Sequence, residues 1–309
     1  MSKENTAVTK KKIKRCKEDV VFDAACFIIL TLVLFVVAYP LYWVIISSIS
    51  APSAVSSGKV LLHPIGFTLK GYAEVFKNDQ VMRGFLNSLI ITFCGVMVNL
   101  IVTLPTSYAL SRSNFSGKKP ITIFYLITMF FGGGLIPTYL VIQRLQMLNT
   151  IWALILPGCL SVYNMIVART FFKSNISEEL YEAAEIDGCT QARFFFQIAL
   201  PLSKAIIAIL VLYYGVGHWN SYFSALVYIS DKAKYPLQLV LRNILITNQT
   251  ALSQTATTAA ARAALQEKQQ LIDVMKYSLI IISSIPVLVM YPLWQTHFVK
   301  SPVIGSLNG

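Results

Sequence analysis

Six long apolar stretches limit what this chain can fold into more than any other feature. They are Phe22–Ile49, Phe85–Leu110, Ile121–Ile142, Trp152–Phe172, Ala205–Ile229 and Tyr277–Phe298. Each has about the 20 residues that a helix needs to cross the hydrocarbon core of a bilayer. Because backbone polar groups must be paired within the protein at that depth, each stretch is expected to be helical. The sequence therefore predicts an all-α membrane protein with six transmembrane helices.

The composition argues against a soluble, nucleic-acid-binding protein. Of the 309 residues, 55% are hydrophobic and 13% are charged, which is about half the charged fraction of ordinary soluble domains. The net charge of +12 alone would suggest a nucleic-acid partner, but the apolar content opposes it. Much of the excess positive charge lies in the tail 1–21. The positive-inside rule places that tail in the cytoplasm, and six spans then place the carboxyl terminus there too.

A polar, helix-prone segment separates the fourth and fifth apolar stretches, and we name residues 174–203 the elbow. Ser177 is a good helix N-cap residue, and Gly188 stands where a left-handed residue would end that helix. Thr190 is suited to cap a second short helix, which Pro201 is expected to end. In the six-span topology the elbow falls on the cytoplasmic side. We therefore predict a helix, a sharp glycine turn and a second helix, which together form a surface that a soluble partner can bind.

Several spaced residues of the elbow resemble the EAA loop of permease subunits in binding-protein-dependent ABC importers. The matching residues are Glu182-Ala183-Ala184, Asp187-Gly188 and Ile198-x-Leu200-Pro201. Two positions depart slightly from the family pattern, with Ser177 in place of a proline and Cys189 in place of an alanine. The resemblance implies that the elbow carries the cytoplasmic coupling helix, which docks into a cleft of a separate ATPase subunit. It implies ATPase-coupling roles for Glu182, Ala183, Ala184, Asp187, Gly188, Ile198, Leu200 and Pro201.

From Phe22 to Gly309, apart from the Ala-rich segment Thr250–Val274, the chain resembles the MalG-like permeases of maltose-type carbohydrate importers. The run Gly133-Gly134-Leu135-Ile136-Pro137-Thr138-Tyr139 is similar to a segment of one sugar-permease branch, and the resemblance leans towards oligosaccharides. It implies a type I ABC importer permease fold for 22–309, in the cytoplasmic membrane of a bacterium.

The same resemblance implies an assembly of several proteins. The expected partners are a second, MalF-like permease, two ATPase subunits that carry ATP and Mg²⁺, an extracytoplasmic solute-binding protein, a carbohydrate substrate and membrane lipid. The long outer loop 230–276 is the part that would touch the solute-binding protein. Its Ala-rich portion matches the family least.

The chain has no recognisable energy source of its own. It contains no Gly-x-x-x-x-Gly-Lys-Ser/Thr loop to hold ATP. The second, third and sixth stretches have no Asp, Glu, Lys or Arg in their interiors, where ion-coupled carriers usually place such residues. The histidines and cysteines show no metal-ligand spacing, so no metal and no bound cofactor are expected. Force must therefore come from another polypeptide, and the elbow is the conspicuous place for it to act.

Other functions stay open at the level of sequence. A permease for peptides or amino acids would share the elbow. An integral membrane enzyme would need catalytic residues, and no catalytic motif is recognisable. A passive channel or scaffold would leave the elbow unexplained. The substrate class rests on the resemblance alone, and the absence of embedded Arg or Lys disfavours a strongly anionic solute.

Polar and aromatic residues of the fourth and fifth stretches are the candidates for contact with substrate. They are Tyr163, Asn164, Tyr213, Tyr214 and Asn220. The polar-aromatic mixture of the fifth stretch suits stacking on sugar rings and hydrogen bonds to hydroxyl groups. His218 and Tyr222 also suit an aromatic belt at the outer surface of the membrane.

The third stretch is predicted to be broken. It contains Gly132, Gly133, Gly134 and Pro137, and such residues bend or interrupt a helix. Freed backbone groups at that depth are tolerated against protein or a water-filled cavity. Close helix packing through small residues is the alternative reason for the glycines.

Overall fold

The computed structural model describes residues 17–251 and 259–299. The basic tail up to residue 16, residues 252–258 of the Ala-rich segment and the carboxyl-terminal tail from residue 300 lie outside the described residues. The described part consists of helices joined by turns and loops, without a β-strand. The predicted all-α class is therefore confirmed.

The α-helices of the described part follow one another along the chain. They are α1 (Lys17–Ser48), α2 (Pro52–Ser56), α3 (Lys70–Lys77), α4 (Asp79–Ser111), α5 (Lys118–Phe130), α6 (Leu135–Arg144), α7 (Trp152–Ile155), α8 (Val162–Asn175), α9 (Glu178–Ile186), α10 (Gln191–Phe194), α11 (Leu200–Leu202), α12 (Lys204–Asn220), α13 (Phe223–Tyr228), α14 (Leu237–Ala251) and α15 (Ala259–Val299). Short 3-10 turns occupy Leu156–Gly158 and Lys232–Lys234. A π-helical turn, Phe195–Ala199, joins α10 to α11.

Three stretches are long and apolar enough to cross a membrane without a break: α1, α4 and the part Gln269–Met290 of α15. Three further candidates are bent pairs of shorter helices. α5 and α6 meet at 113°, Trp152–Gly158 and α8 at 52°, and Gln191–Leu202 and α12 at 79°. The predicted count of six is reached when each bent pair is taken as one crossing.

Some predicted boundaries are wrong, and the reason is physical. The fifth span is predicted to reach Ile229, but α12 ends at Asn220 and α13 follows as a separate helix. The sixth is predicted to begin at Tyr277, whereas α15 begins at Ala259. Hydropathy marks the apolar part of a helix and does not detect a polar part that continues the same helix. The second elbow helix continues from α10 through the π-helical turn into α11 and ends at Leu202, one residue after Pro201, close to the predicted end.

The break in the third span is confirmed, and it lies at the glycines. Gly134 has a φ of +84°, a conformation that favours glycine. A Cβ on Gly132 or Gly134 would meet no atom within 4 Å, so packing within the described chain does not explain these small residues. Just after the break, Pro137 and Thr138 line a cavity of about 410 Å³. The glycines themselves do not line this cavity, so the cavity-lining interpretation stays a prediction.

Polar side chains of α4 hold the central helices α8 and α12. The buried Asn99 donates from Nδ2 to the Gly158 carbonyl (2.8 Å), at the break that precedes α8. The Asn99 Oδ1 lies 2.7 Å from Nε2 of His218 on α12. The carbonyl freed by the broken helix is thus paired, as buried backbone groups must be. His218 contacts α4 within the bundle, so the aromatic-belt interpretation is wrong for this residue.

One helical turn further along α4, a second polar contact joins the same three elements. Thr103 Oγ1 lies 2.8 Å from the Tyr214 hydroxyl. That hydroxyl also accepts a hydrogen bond from the Ser161 backbone N–H (3.2 Å). The break between α7 and α8 is therefore held by α4 on one side and by α12 on the other.

The two ends of the bundle have different contacts. At the elbow end, α9 lies against the carboxyl end of α4. At the opposite end, which we name the distal end, Ser278 of α15 donates to the carbonyl of Ser48 at the end of α1 (3.4 Å). Near the start of α4, Asn87 donates to the Ala233 carbonyl (2.8 Å), also at the distal end. The first part of the predicted outer loop, around Ala233, thus lies at the end opposite the elbow.

Candidate coupling site

The elbow folds as two capped helices around one glycine. Ser177 Oγ accepts a hydrogen bond from the Leu180 backbone N–H (3.3 Å) and caps α9. Thr190 Oγ1 accepts from the Arg193 backbone N–H (3.3 Å) and caps α10. Both predicted caps are confirmed.

Gly188 makes the turn between α9 and α10. Its φ of +76° lies in the left-handed region. Its N–H donates to the Glu185 carbonyl (3.0 Å), and the Cys189 N–H donates to the Ala184 carbonyl (2.9 Å), which closes the end of α9. A Cβ on Gly188 would meet no atom within 4 Å. Backbone conformation, rather than space, is therefore the reason for glycine here.

Arg112, just after α4, attaches the elbow to the bundle. Its guanidinium forms an ion pair with Glu178 and lies 4.3 Å from the centroid of the Tyr181 ring. Glu178 also accepts a hydrogen bond from the Ser113 backbone N–H (3.0 Å). Tyr181 packs edge-to-face on Phe194, with centroids 5.2 Å apart, so α9 and α10 meet over the same side chains. We name Arg112, Glu178, Tyr181 and Phe194 the Arg112 cluster.

The surroundings of Glu178 favour its charged form. Partial burial alone would raise the pKa of the carboxyl group. The hydrogen bonds from Ser113 and the positive charges of Arg112 and Lys118 outweigh burial, so the pKa of Glu178 lies below its ordinary value. The carboxylate is therefore ionised at neutral pH, and its ion pair with Arg112 is available there.

The face of α9 that points away from the bundle mixes acidic and apolar side chains. Glu179, Glu182 and Ile186 are spaced three and four residues apart, which places them on one side of the helix. All three are exposed, as is Ala183, and Ile186 is 86% exposed. The sequence analysis did not single out Ile186. Its position one turn after Glu182 on the same helix face is the signal that could have found it.

The remaining matched residues divide between the two sides of the elbow. Ala184, Ile198 and Leu200 are half-buried and pack against the core of the elbow end. Asp187 and Pro201 are exposed. The structure therefore gives the elbow one face that contacts the bundle and one that is free for another molecule.

The predicted substrate-contact residues lie in two different environments. Tyr213 and Asn220 are exposed on the same face of α12, and Tyr163 is 54% exposed in the first turn of α8. Tyr214 and Asn164 are each 6% exposed, and the Tyr214 hydroxyl is used inside the bundle. A role in the substrate pathway stays a prediction for all five.

The chain is similar over nearly its whole length to known proteins. It is 37% identical over 289 residues to the protein LplC of Bacillus subtilis (strain 168), covering 94% of this chain and 95% of that protein. It is 35% identical over 288 residues to the polygalacturonan/rhamnogalacturonan transport system permease protein YtcP of the same organism, covering 93% and 98%. Among solved structures it resembles a chain of a bacterial ABC transporter involved in the import of the acidic polysaccharide alginate, with a TM-score of 0.83, 26% identity and coverage of 93% and 99%. No family model matches the chain.

Proposed function

We propose how this chain, which belongs to the permease subunits of oligosaccharide ABC importers, receives force from a separate ATPase. The elbow is the proposed surface through which that ATPase moves the membrane spans. Family membership makes the chain a sugar-transport subunit. The proposal concerns how this subunit receives force and which of its residues take part.

The observation that carries the proposal is the continuity between the elbow and the central helices. Tyr108 of α4 packs on Phe172 of α8 and Phe195 of the second elbow helix, with ring centroids 5.6 and 5.0 Å apart. Only two residues separate α8 from α9, and the other arm of the elbow meets α12 at 79°. A displacement of α9 is therefore passed to both α8 and α12.

The mechanism is alternating access. Binding of ATP closes the ATPase pair, the elbow moves with its ATPase, and the spans change between inward and outward openings. Such an equilibrium shifts only through contacts that differ between the two states. The break before α8, held by Asn99 and Tyr214, is a place where the central helices can change their relative angle.

We assign the energy source and the cofactors to other chains. A second permease, two ATPase subunits with ATP and Mg²⁺, and a solute-binding protein complete the proposed transporter. Within the part of the chain that the structure describes, no cluster of three His, Cys, Asp or Glu side chains could hold a metal ion. The exposed face of α9 is the proposed contact with one ATPase subunit.

We place the elbow end in the cytoplasm and the distal end outside. The end of α1 lies at the distal end, so its start points to the elbow side. α15 runs antiparallel to α12, since the Ser283 carbonyl accepts from Trp219 (2.9 Å) and Met290 lies against Gly215. Both chain termini then belong to the cytoplasmic side, in agreement with the basic tail.

Replacing Ile186 by aspartate is the direct test of the docking face. We expect stimulated ATP hydrolysis and sugar uptake by the reconstituted complex to fall at least tenfold. The reason is that a charge placed in an apolar contact must be desolvated without a partner. The control Ile186→Leu keeps the apolar volume and should stay within about twofold of the wild type. If the aspartate variant still purified with its ATPase and was stimulated normally, α9 would not be the docking face.

Substitutions on α12 distinguish a role in the substrate pathway from a structural role within the bundle. Tyr213→Ala and Asn220→Ala are expected to change uptake kinetics several-fold while assembly is unchanged, because both side chains are exposed on one face. Tyr214→Phe should instead lower the stability of the bundle by about 1 kcal/mol, because the hydroxyl's hydrogen bonds are lost. Uptake assays and thermal unfolding in detergent measure the two effects. Unaltered uptake in both alanine variants would remove Tyr213 and Asn220 from the pathway.

A further inference from the structure

A polar recess opens at the distal end, and none of its lining residues belongs to the elbow or to α12. Its volume is about 470 Å³, within the usual range for small-molecule sites. The start of α4, the segment that follows α13, the helix α14 and the start of the apolar part of α15 form its walls. Its polar lining comprises Asn78, Gln80, Lys232, Tyr235, Arg242 and Asn243.

The recess carries positive charge that the described part of the chain does not neutralise. Lys232 is exposed and Arg242 is half-buried, and neither forms an ion pair with a described residue. Of the acidic residues next to the lining in sequence, Asp79 and Asp231 are exposed, and neither forms an ion pair with Lys232 or Arg242. Asp231 accepts from the Ala233 backbone N–H (2.9 Å), and Asp273 pairs with Lys276 (2.6 Å). Two cations in one recess that no described carboxylate pairs with favour an anionic ligand.

The walls of the recess are fixed by hydrogen bonds to α4. Asn87 donates to the carbonyls of Ala233 (2.8 Å) and Tyr235 (3.1 Å). The Leu237 backbone N–H donates to the buried Ser88 Oγ (2.8 Å). These contacts hold Tyr235 and the start of α14 in place before any ligand arrives, which lowers the cost of binding.

The cap at the start of α4 leaves donors free on the opposite wall. Asn78 Oδ1 accepts from the backbone N–H groups of Gln80 (3.0 Å) and Val81 (3.2 Å). The oxygen of Asn78 is thereby used, and its NH₂ group remains as a donor. The side-chain amides of Gln80 and Asn243 add further donors and acceptors.

We propose that this recess binds a carboxylated sugar unit, a uronate, of the transported oligosaccharide before it enters the membrane path. The inference rests on the proposed function and adds the charge of the substrate, which family membership leaves open. It departs from the sequence-based expectation that a strongly anionic solute is disfavoured, because the cations that it uses lie in the distal recess and not within a span. The guanidinium of Arg242 forms a two-point contact with a carboxylate, and Lys232 adds a second positive charge. The amides of Asn78, Gln80 and Asn243 bind ring hydroxyl groups, and Tyr235 offers an aromatic surface. The cations lie in a recess rather than on a protruding face, which favours a sugar over an acidic protein surface.

Binding to the full-length permease in lipid nanodiscs, measured by calorimetry, tests the inference. The probes are trigalacturonate and the neutral trisaccharide galactotriose. The wild type should bind trigalacturonate at least tenfold more tightly. Arg242→Gln should remove most of that preference, and Lys232→Gln should reduce it about threefold. The matched control is Arg83→Gln, an exposed arginine of α4 that does not line the recess, and it should leave binding unchanged.

Several results would overturn the inference. They are equal affinity for the two probes, no binding of trigalacturonate, or an effect of Arg83→Gln as large as that of Arg242→Gln. If the permease alone failed to bind the sugar while Arg242→Gln weakened its capture of a solute-binding protein, the recess would be a protein-docking site and the inference would be wrong. Because the assay contains no ATPase, it is independent of the elbow. Ile186→Asp should therefore bind trigalacturonate normally even if coupling is lost.

Discussion

Replacing Gly188 by valine is expected to reduce coupled transport at least tenfold without preventing membrane insertion. Gly188 has a φ of +76°, where an L-residue costs roughly 1–2 kcal/mol and a β-branched residue is a genuine outlier. Since about 1.4 kcal/mol is a factor of ten in an equilibrium, the population of the turned elbow relative to other conformations would fall about tenfold. Uptake and stimulated ATP hydrolysis by the reconstituted complex measure the effect.

Two control variants separate the geometry of the elbow from general damage. Gly188→Asn introduces a residue that tolerates the left-handed region and should keep most of the activity. Gly58 has a φ of +69° and open space around an added Cβ, but it lies in a distal loop. Gly58→Val therefore imposes the same local strain elsewhere and should leave coupling within about twofold. Normal coupled ATP hydrolysis in Gly188→Val would contradict the docking role of the elbow.

The elbow could be predicted from the sequence because its signals are local. The caps at Ser177 and Thr190 act on N–H groups three residues away, and the conformation of Gly188 is a property of one residue. The break at Gly132–Gly134 is local in the same sense. Each of these features is encoded within a single turn of chain, so no knowledge of the tertiary structure is needed to find it.

The attachment of the elbow could not be predicted, because its partners are distant in sequence. Arg112 and Glu178 are 66 residues apart, and Asn99 and His218 are 119 apart. In the sequence Arg112 is only one of several basic residues between the second and third apolar stretches. The recess around Arg242 combines segments that lie still further apart. Pairings of this kind follow from the packing of α4 against the other helices, which hydropathy does not specify.

The bends in the spans form an intermediate case. Hydropathy marks the fourth and fifth spans as continuous, yet the fourth is bent by 52° before α8 and the fifth is interrupted between α12 and α13. The local signals for the bend before α8 are Pro157 and Gly158, which lie directly at the break. The bend after Leu202 follows the π-helical turn and Pro201. A proline alone does not predict such a bend, since Pro40 and Pro105 lie inside α1 and α4, which continue through them.

Replacing Arg112 by glutamine is expected to detach the elbow and to reduce coupled ATP hydrolysis about tenfold or more. The Arg112 side chain is 13% exposed, and it serves Glu178 and Tyr181 together. Loss of a hydrogen bond to a charged group costs about 1.5–3 kcal/mol, and loss of the cation–π contact costs roughly 0.5–2 kcal/mol. Glu178→Gln should have a smaller effect, because the Glu178 side chain is 43% exposed and neutralising it leaves the stacking on Tyr181 intact.

Arg112→Lys discriminates between charge and shape in this cluster. Lysine keeps the positive charge but loses the planar group that stacks on Tyr181, so we expect coupling between that of the wild type and that of Arg112→Gln. The double variant Arg112→Gln/Glu178→Gln should be less impaired than the sum of the single variants, because the two residues share one interaction. Trypsin cleavage after Arg193 gives a readout independent of transport, and it should be faster in Arg112→Gln because the elbow is released. Slow cleavage with full coupling in that variant would mean that packing around Phe194 alone holds the elbow, and the ion pair would then have no part in transmitting force.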